Sequence, residues 1–130
     1  MSVTEVTSLQ QFQEIAPGSA SLRALIARDE LSVFDFWATW CGPCKAISPI
    51  FANMAAAGAE EGLQSKDGGE PVKFKAYKVD VDAVPDVSQY VGIRAMPTFI
   101  AYTKGEKVGT VIGARVQELQ NLIVGKAAQK

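Results

Sequence analysis

Histidine is absent from the 130-residue sequence, and cysteine occurs only twice, at Cys41 and Cys44. Without histidine, the chain lacks the usual activator of a serine or cysteine nucleophile, and two thiols alone make at most half of a tetrahedral zinc site. Two cysteines within one tetrapeptide cannot crosslink distant segments, so they are not a structural scaffold. The sequence therefore predicts dithiol chemistry without a metal.

Positive charge is not in excess either, and long apolar runs are missing. Thirteen Lys and Arg balance fourteen Asp and Glu, for a formal net charge of -1, which offers no basic surface to nucleic acid. No apolar segment is long enough to span a bilayer, and residues 1–6 lack the basic start and apolar core of a signal peptide. We therefore expect a cytoplasmic protein with no membrane or nucleic-acid partner.

The order of apolar patterns predicts an α/β fold. Hydrophobic residues make up 48% of the chain and charged residues 21%, as in a globular protein, and 130 residues fit a single domain, residues 1–130. Residues 32–38 form an almost unbroken β-branched and aromatic run, typical of a strand covered on both faces. The full pattern reads β, α, β, α, β, α, β, β, α. It predicts a central mixed sheet of about five strands flanked by about four helices.

Several local signals place the ends of helices and loops. Ser8 and Gln11 have the spacing of a capping box, and Pro85 and Gly92 suit the first residue of a helix and the position just after it. Residues 59–71 are rich in glycine and charge and are predicted to form a long surface loop. Apolar residues at helical spacing predict three more helical segments. Their buried positions are Leu22, Leu25 and Ile26; Ile47, Ile50, Phe51 and Met54; and Val116, Leu119, Leu122 and Ile123.

The two cysteines lie between the predicted buried strand and the start of a helix. Unpaired N–H groups and the macrodipole at a helix N-terminus favour an anion, so Cys41 is expected to be the easily ionised thiol. A free thiol has a pKa of about 8.5, which this setting lowers towards neutral. Cys44 is expected to lie one turn inward, more shielded from solvent but close enough for a disulfide with Cys41. Two inert core thiols, or part of a metal site, are the alternative interpretation.

The segment from Phe34 to Lys45, FDFWATWCGPCK, resembles the active-site segment of thioredoxins residue for residue. The similarity continues in the same order through Pro49, residues 78–82, 92–98 and 104–106, and Gly113. On these motifs the sequence is identified as a member of the thioredoxin family, which implies the thioredoxin fold. In that family Cys41 would be the attacking nucleophile and Cys44 the resolving thiol, the two forming the redox disulfide.

The resemblance also implies an activity and its partners. Gly42 and Pro43 between the cysteines accompany the reducing members of the family, which implies an enzyme that reduces protein disulfides. It would bind no cofactor, and its electrons would come from NADPH through a thioredoxin reductase. A disulfide oxidase or isomerase and a redox-gated binding module are the alternatives. Residues 16–31 and 59–71 are longer than in typical thioredoxins, as surface insertions can be.

Two charged residues are candidates for proton transfer. Asp35 is a carboxylate within an apolar strand, so it loses hydration and should hold its proton unusually tightly. The resemblance implies that it exchanges a proton with Cys44, whereas the alternative is a carboxylate that only hydrogen-bonds to backbone. Lys78 shares strand parity with Phe74 and Ala76, so its ammonium could approach Asp35 and modulate it. A solvated lysine at the strand end is the alternative.

Substrate docking is expected on a flat, mostly uncharged rim around the cysteines. The resemblance implies a cis peptide bond before Pro97, although a trans bond is the default, because about 5% of X–Pro bonds in folded proteins are cis. The backbone of Met96 could then pair with an extended substrate segment. Trp37 could belong either to this rim or to the core. The motif and rim residues are Trp40, Gly42, Pro43, Gly92, Met96, Pro97 and Gly113.

Overall fold

A computed structural model describes residues 2–16, 31–65 and 68–127, and within these ranges five strands form one mixed sheet. The spatial order is β1-β3-β2-β4-β5; β1, β3 and β2 run parallel, and β4 and β5 run antiparallel to their neighbours. The predicted α/β class and mixed five-stranded sheet are confirmed. The strands are β1 (Val3–Glu5), β2 (Leu31–Trp37), β3 (Phe74–Asp80), β4 (Thr98–Thr103) and β5 (Glu106–Ile112).

Four helices lie in the described part of the chain, and two of them begin or end where the sequence predicts. Ser8 caps the first helix by accepting a hydrogen bond from the Gln11 N–H. Pro85 is the first residue of the third helix, and Gly92 lies directly after the last residue of that helix, with a left-handed φ of 88°. The predicted turn at residues 22–26 lies outside the described residues. The helices are α1 (Leu9–Ile15), α2 (Gly42–Glu60), α3 (Pro85–Val91) and α4 (Val116–Ala127).

Two details of the helices differ from the prediction. The loop expected from residue 59 begins later, because α2 continues to Glu60, and Leu63 and Val72 then pair in an isolated β-bridge. Ile50 and Val116, expected on buried stripes, are 37% and 39% exposed. The buried row of α2 follows i, i+4 spacing through Ile47, Phe51 and Ala55, so Ile50 falls on its flank. Val116 opens α4, whose first fully buried residue is Leu119.

The central strand β2 is buried on both faces because α-helices cover each side of the sheet. We call the side that carries Leu31, Val33 and Asp35 the carboxylate face; it packs against α2 and α4. The side that carries Phe34 and Phe36 is the aromatic face; it packs against α1 and α3. The alternation of a strand thus places Asp35 on one face and its two phenylalanine neighbours on the other. That residues 1–130 form a single domain stays a prediction.

Candidate active site

Cys41 is the N-cap residue of α2, and it is joined to Cys44 by a disulfide with a Cα–Cα distance of 5.3 Å. The Cys44 N–H donates to the Cys41 Sγ at 3.1 Å. Cys41 is 6% exposed and Cys44 is 2% exposed, so Cys44 is the more shielded of the two. In the reduced protein this position aims a helix-start N–H and the positive end of the dipole at the Cys41 sulfur, which favours its thiolate.

Prolines shape the helix that carries the dithiol. Pro43 lies in its first turn, where its missing N–H would have had no partner within the helix, and the preceding Gly42 is exposed. Pro49 lies inside α2 and cannot donate to the carbonyl of Lys45. The start of α2 is therefore set by local sequence, and the helix loses one backbone hydrogen bond a turn beyond Cys44.

The loop between α3 and β4, residues 92–97, approaches the disulfide. The Met96–Pro97 peptide bond is cis, and the Met96 carbonyl oxygen lies 3.6 Å from the Cys41 Sγ. The Met96 side chain packs against the small cluster that contains both cysteines. Gly113, whose φ is 101°, donates its N–H to the Pro97 carbonyl at 2.8 Å. The end of β5 thus holds the Pro97 loop in place beside Cys41.

Asp35 is 4% exposed and lies on β2 between Lys78 of β3 and Phe99 of β4, its register partners. Burial raises the pKa of Asp35 to about 7, and the positive charge of Lys78 opposes this increase. Its Oδ1 is buried and has no hydrogen-bond partner among the described residues. This carboxyl can therefore accept or release a proton near neutral pH, as a proton-transfer group must.

Lys78 is half-buried on the same side of β3 as the buried residues Phe74 and Ala76, as strand parity predicts. Its Nζ lies 5.7 Å from the centre of the Trp37 ring, within the range of a cation–π contact. The Trp37 side chain is itself half-buried, and its Nε1 is buried without a hydrogen-bond partner in the described part of the chain. Trp37 therefore belongs to the interior next to Asp35 more than to the exposed rim.

A family model for thioredoxin matches residues 16–124. The chain belongs to the thioredoxin family. It is 40% identical over 126 residues to the thioredoxin of Malassezia sympodialis, covering 97% of this chain and all of that relative. The crystal structure of Malassezia sympodialis thioredoxin superposes with a TM-score of 0.71 at 41% identity, covering 95% of this chain and 89% of that one. A thioredoxin structure from Plasmodium falciparum gives 0.69 at 34% identity, covering 93% and 96%.

Membership in the thioredoxin family makes this protein a thiol–disulfide oxidoreductase, with the Cys41–Cys44 pair as its redox centre. No group of three or more His, Cys, Asp or Glu side chains within residues 2–16, 31–65 and 68–127 could hold a metal ion. In the same ranges, no helix has the length and apolar character that crossing a membrane requires. Dithiol exchange itself needs neither a metal nor an organic group bound to the protein.

The rim of this thioredoxin-family site includes contacts that sequence reasoning missed. Trp40 is 67% exposed, and its Nε1 donates to the Asp82 Oδ2 at 2.8 Å. The Asp80 Oδ1 accepts the N–H groups of Asp82 and Ala83 at 2.9 and 3.3 Å, which shapes the turn that presents Asp82. The available signal was the position of both aspartates where β3 ends, at the same edge of the sheet as the cysteines.

Of the predicted rim residues, Met96 contacts the cysteine cluster and Gly42 and Pro43 lie within the motif itself. Gly92 is exposed and ends α3, where its left-handed φ of 88° suits a residue without a side chain. Its N–H donates to the Ser88 carbonyl at 2.8 Å, a contact that closes the helix. That Gly92 contributes to substrate docking stays a prediction.

Proposed function

We propose that this thioredoxin-family enzyme reduces disulfide bonds in other proteins and is itself reduced by an NADPH-dependent thioredoxin reductase. The observation that carries the proposal is the Cys41 sulfur at the start of α2, 3.1 Å from the Cys44 N–H that donates to it. A sulfur in this position is a stabilised thiolate in the reduced protein and hence both a nucleophile and a good leaving group. The Gly42-Pro43 pair between the cysteines supports reduction over oxidation, by its resemblance to reducing members of the family.

The proposed reaction begins with the reduced dithiol. The Cys41 thiolate attacks one sulfur of the substrate disulfide, the substrate S–S bond breaks, and the other substrate sulfur leaves as a thiolate that takes a proton. Cys44 then gives its proton to the ionised Asp35 carboxylate and attacks the Cys41 Sγ; the bond from Cys41 to the substrate breaks, and the second substrate sulfur leaves as a thiolate that takes a proton from water. Two electrons have passed to the substrate, and the enzyme is left with the Cys41–Cys44 disulfide seen in this structure.

Substrate docking is proposed at the exposed rim. Trp40 presents an indole that Asp82 holds by a hydrogen bond, and Gly42 and Pro43 are exposed beside it. The Met96 carbonyl lies 3.6 Å from the Cys41 Sγ, so an extended substrate segment that pairs with this backbone would bring its own disulfide to the nucleophile. Backbone pairing is tolerant of side chains, which suits an enzyme that acts on many disulfide-containing proteins.

The route of the electrons completes the proposal. NADPH is the ultimate donor and the reductase transfers its electrons to the Cys41–Cys44 disulfide, so this chain binds no cofactor of its own. We place the activity in the cytoplasm, because that compartment keeps protein thiols reduced. There the enzyme would contribute to the redox balance of the cell.

The test uses insulin as the substrate, with NADPH and a thioredoxin reductase supplied. We expect the wild-type enzyme to reduce insulin and Cys41→Ser to lose this activity completely, because no attacking thiolate remains. Cys44→Ser should carry out the first attack only and accumulate a covalent adduct with insulin, visible on a non-reducing gel and by mass. Circular dichroism of both variants serves as the control for folding.

Other outcomes would contradict the proposal in distinct ways. An adduct formed by Cys41→Ser but not by Cys44→Ser would reverse the roles of the two cysteines. Faster oxidation of reduced insulin than reduction of the oxidised form would favour an oxidase or isomerase. Equal binding of a protein partner by wild type and by the double variant Cys41→Ser/Cys44→Ser, without turnover, would favour a redox-gated binding module.

A further inference from the structure

Lys78 has three carboxylates as neighbours. Asp35 on β2 and Glu5 on β1 are both its register partners, one on each side of β3. Asp80 lies two residues further along β3 and so on the same face of the sheet. The Asp80 Oδ1 accepts two backbone N–H groups, Glu5 is exposed on the edge strand, and Asp35 is buried. The position of one flexible ammonium group therefore decides which carboxylate its charge stabilises.

Trp37 is the side chain that contacts this ammonium group. It follows Asp35 by two residues on β2, so both residues share the carboxylate face. The Lys78 Nζ lies 5.7 Å from the centre of its ring. Because the Trp37 Nε1 is buried without a hydrogen-bond partner among the described residues, the indole is held by packing, and its π face is the part that meets a charged group.

We propose that Trp37 is a positioning residue for Asp35: its indole face holds the Lys78 ammonium towards Asp35 of β2 and away from the exposed Glu5 of the edge strand β1. Trp37 thereby sets the proton affinity of a carboxyl that it need not touch. The inference deepens the proposed function, since it rests on Asp35 as the group that takes the Cys44 proton.

The other groups that face Asp35 do not replace this effect. On α2 the titratable side chain buried on the carboxylate face is Cys44, which is in a disulfide in the oxidised protein. On β4 the register partner of Asp35 is Phe99, and the residues of α4 in the same core are apolar. Among the described residues, Lys78 is therefore the cation whose charge opposes the increase in the pKa of Asp35 that burial causes.

The test measures the titration midpoint of the Asp35 carboxyl by carbon-13 NMR in the oxidised protein. Four proteins are compared: wild type, Trp37→Leu, Lys78→Met and the double variant. Loss of the indole admits water and so lowers the Asp35 midpoint whether residue 78 is lysine or methionine. Only where Lys78 is present does it also free the ammonium group to move away from Asp35, which raises the midpoint. We expect the Trp37→Leu displacement to be more positive with Lys78 than in the Lys78→Met background, by roughly half a pH unit, about threefold in proton affinity.

Two further measurements keep the inference testable if Trp37→Leu does not fold. Trp37→Phe retains a smaller aromatic face, and the displacement of the Asp35 midpoint that it causes should still differ between the Lys78 and Lys78→Met backgrounds, which a merely structural role of the indole would not predict. In the wild-type protein the ring current of Trp37 should move the proton signals of the Lys78 ε-methylene group upfield, compared with those of the exposed Lys73.

Equal displacement by Trp37→Leu in both backgrounds, or an unshifted Lys78 ε-methylene signal, would overturn the positioning role. Because the titration uses the oxidised protein and no substrate, its result is independent of the insulin assay. Failure to reduce insulin would count against the proposed function and leave the Trp37–Lys78 coupling measurable. Absence of the coupling, with insulin reduced normally, would remove only the role of Trp37.

Discussion

The two faces of the central strand β2 differ in what they bury. The aromatic face packs Phe34 and Phe36 against α1 and α3, and the carboxylate face, which packs against α2 and α4, buries Asp35. On each of these two sides of the sheet, burial also raises the pKa of one acidic side chain: that of Asp35 on β2 to about 7 and that of Tyr102 on β4 to about 12. Only the first of these acids changes its charge near neutral pH. The comparison shows one strand that supplies stability from one face and proton chemistry from the other.

The difference follows from chemistry and not from the degree of burial. Phe34 and Asp35 are adjacent and almost equally inaccessible, at 0% and 4% exposure. A buried ring gains from leaving water, whereas a buried carboxylate loses its hydration and compensates by holding its proton. Four substitutions, three of them paired with a control substitution, test how the two faces differ.

Phe34→Ala should have the largest effect. The Phe34 ring lies 4.9 Å from the rings of Phe12 and Tyr77 and 5.5 Å from that of Tyr102, measured between centroids. Removing it leaves a cavity in the aromatic face and should lower the free energy of unfolding by about 3–5 kcal/mol. Urea unfolding at pH 5 and pH 8 should give similar losses, since Phe34 has no charge. A loss below about 1 kcal/mol would mean that this face tolerates a void.

Asp35→Ala should stabilise the oxidised protein at neutral and alkaline pH. The folded pKa of about 7 exceeds the unfolded value of 3.8, so the unfolded chain ionises first and wild-type stability falls as pH rises between these values, then levels off. At about 1.4 kcal/mol per pH unit, the full cost above pH 7 is about 4 kcal/mol, from which the cavity left by alanine subtracts. Urea unfolding from pH 4 to pH 8 measures this dependence, which the variant should lack.

Asp35→Asn is the matched control, because it removes the charge without leaving the cavity. Both variants should also slow the resolution of the mixed disulfide, most strongly at or below neutral pH, where Cys44 rarely ionises unaided. Stopped-flow rates across pH measure this step. An Asp35→Ala protein that is less stable at every pH, with an unaltered resolution rate, would make Asp35 an ordinary structural carboxylate.

Gly58→Ala tests how closely α2 packs on the carboxylate face. A Cβ at Gly58 would overlap the ring of Phe74 on β3, so the substitution should cost about 1–3 kcal/mol despite the better helix propensity of alanine. Gly125 in α4 is the matched control, because a Cβ there meets no atom within 4 Å. Gly125→Ala should raise stability by about 0.5–1 kcal/mol. Thermal unfolding of the pair gives the comparison, and equal effects would contradict the tight packing.

Tyr102→Phe should have the smallest effect, confined to alkaline pH. Burial, with a smaller Coulombic contribution from Tyr90, raises the folded pKa of Tyr102 to about 12 from 10.0. Wild-type stability should therefore fall as pH rises from about 10 towards 12, and Tyr102→Phe should regain on the order of 1 kcal/mol near pH 11. Tyr90→Phe is the control, and it should regain only a minor part of the stability that Tyr102→Phe regains near pH 11. A difference already present at pH 8 would indicate lost contacts of the hydroxyl group.

Much of the fold could be read from the sequence because its signals are local. Ser8, Pro85 and Gly92 mark helix ends through their own backbone and side-chain chemistry, and the apolar run of β2 predicts a strand buried on both faces. The end of α2 was predicted too early, since a loop signal from glycine and charge does not show where packing against a sheet stops stabilising a helix.

The sequence by itself determined the dithiol at the start of a helix, the buried carboxylate five positions ahead of Trp40, and the order of strands and helices from which the mixed sheet was predicted, since each of these signals depends on residues close together in the chain. Only the tertiary structure decided that Asp82 holds Trp40 from 42 positions away and that Gly113 supports the loop of Pro97. It also decided that Lys78 lies over Trp37. These contacts depend on strand register and on the spacing between layers, which arise when remote segments pack together and which no local pattern specifies.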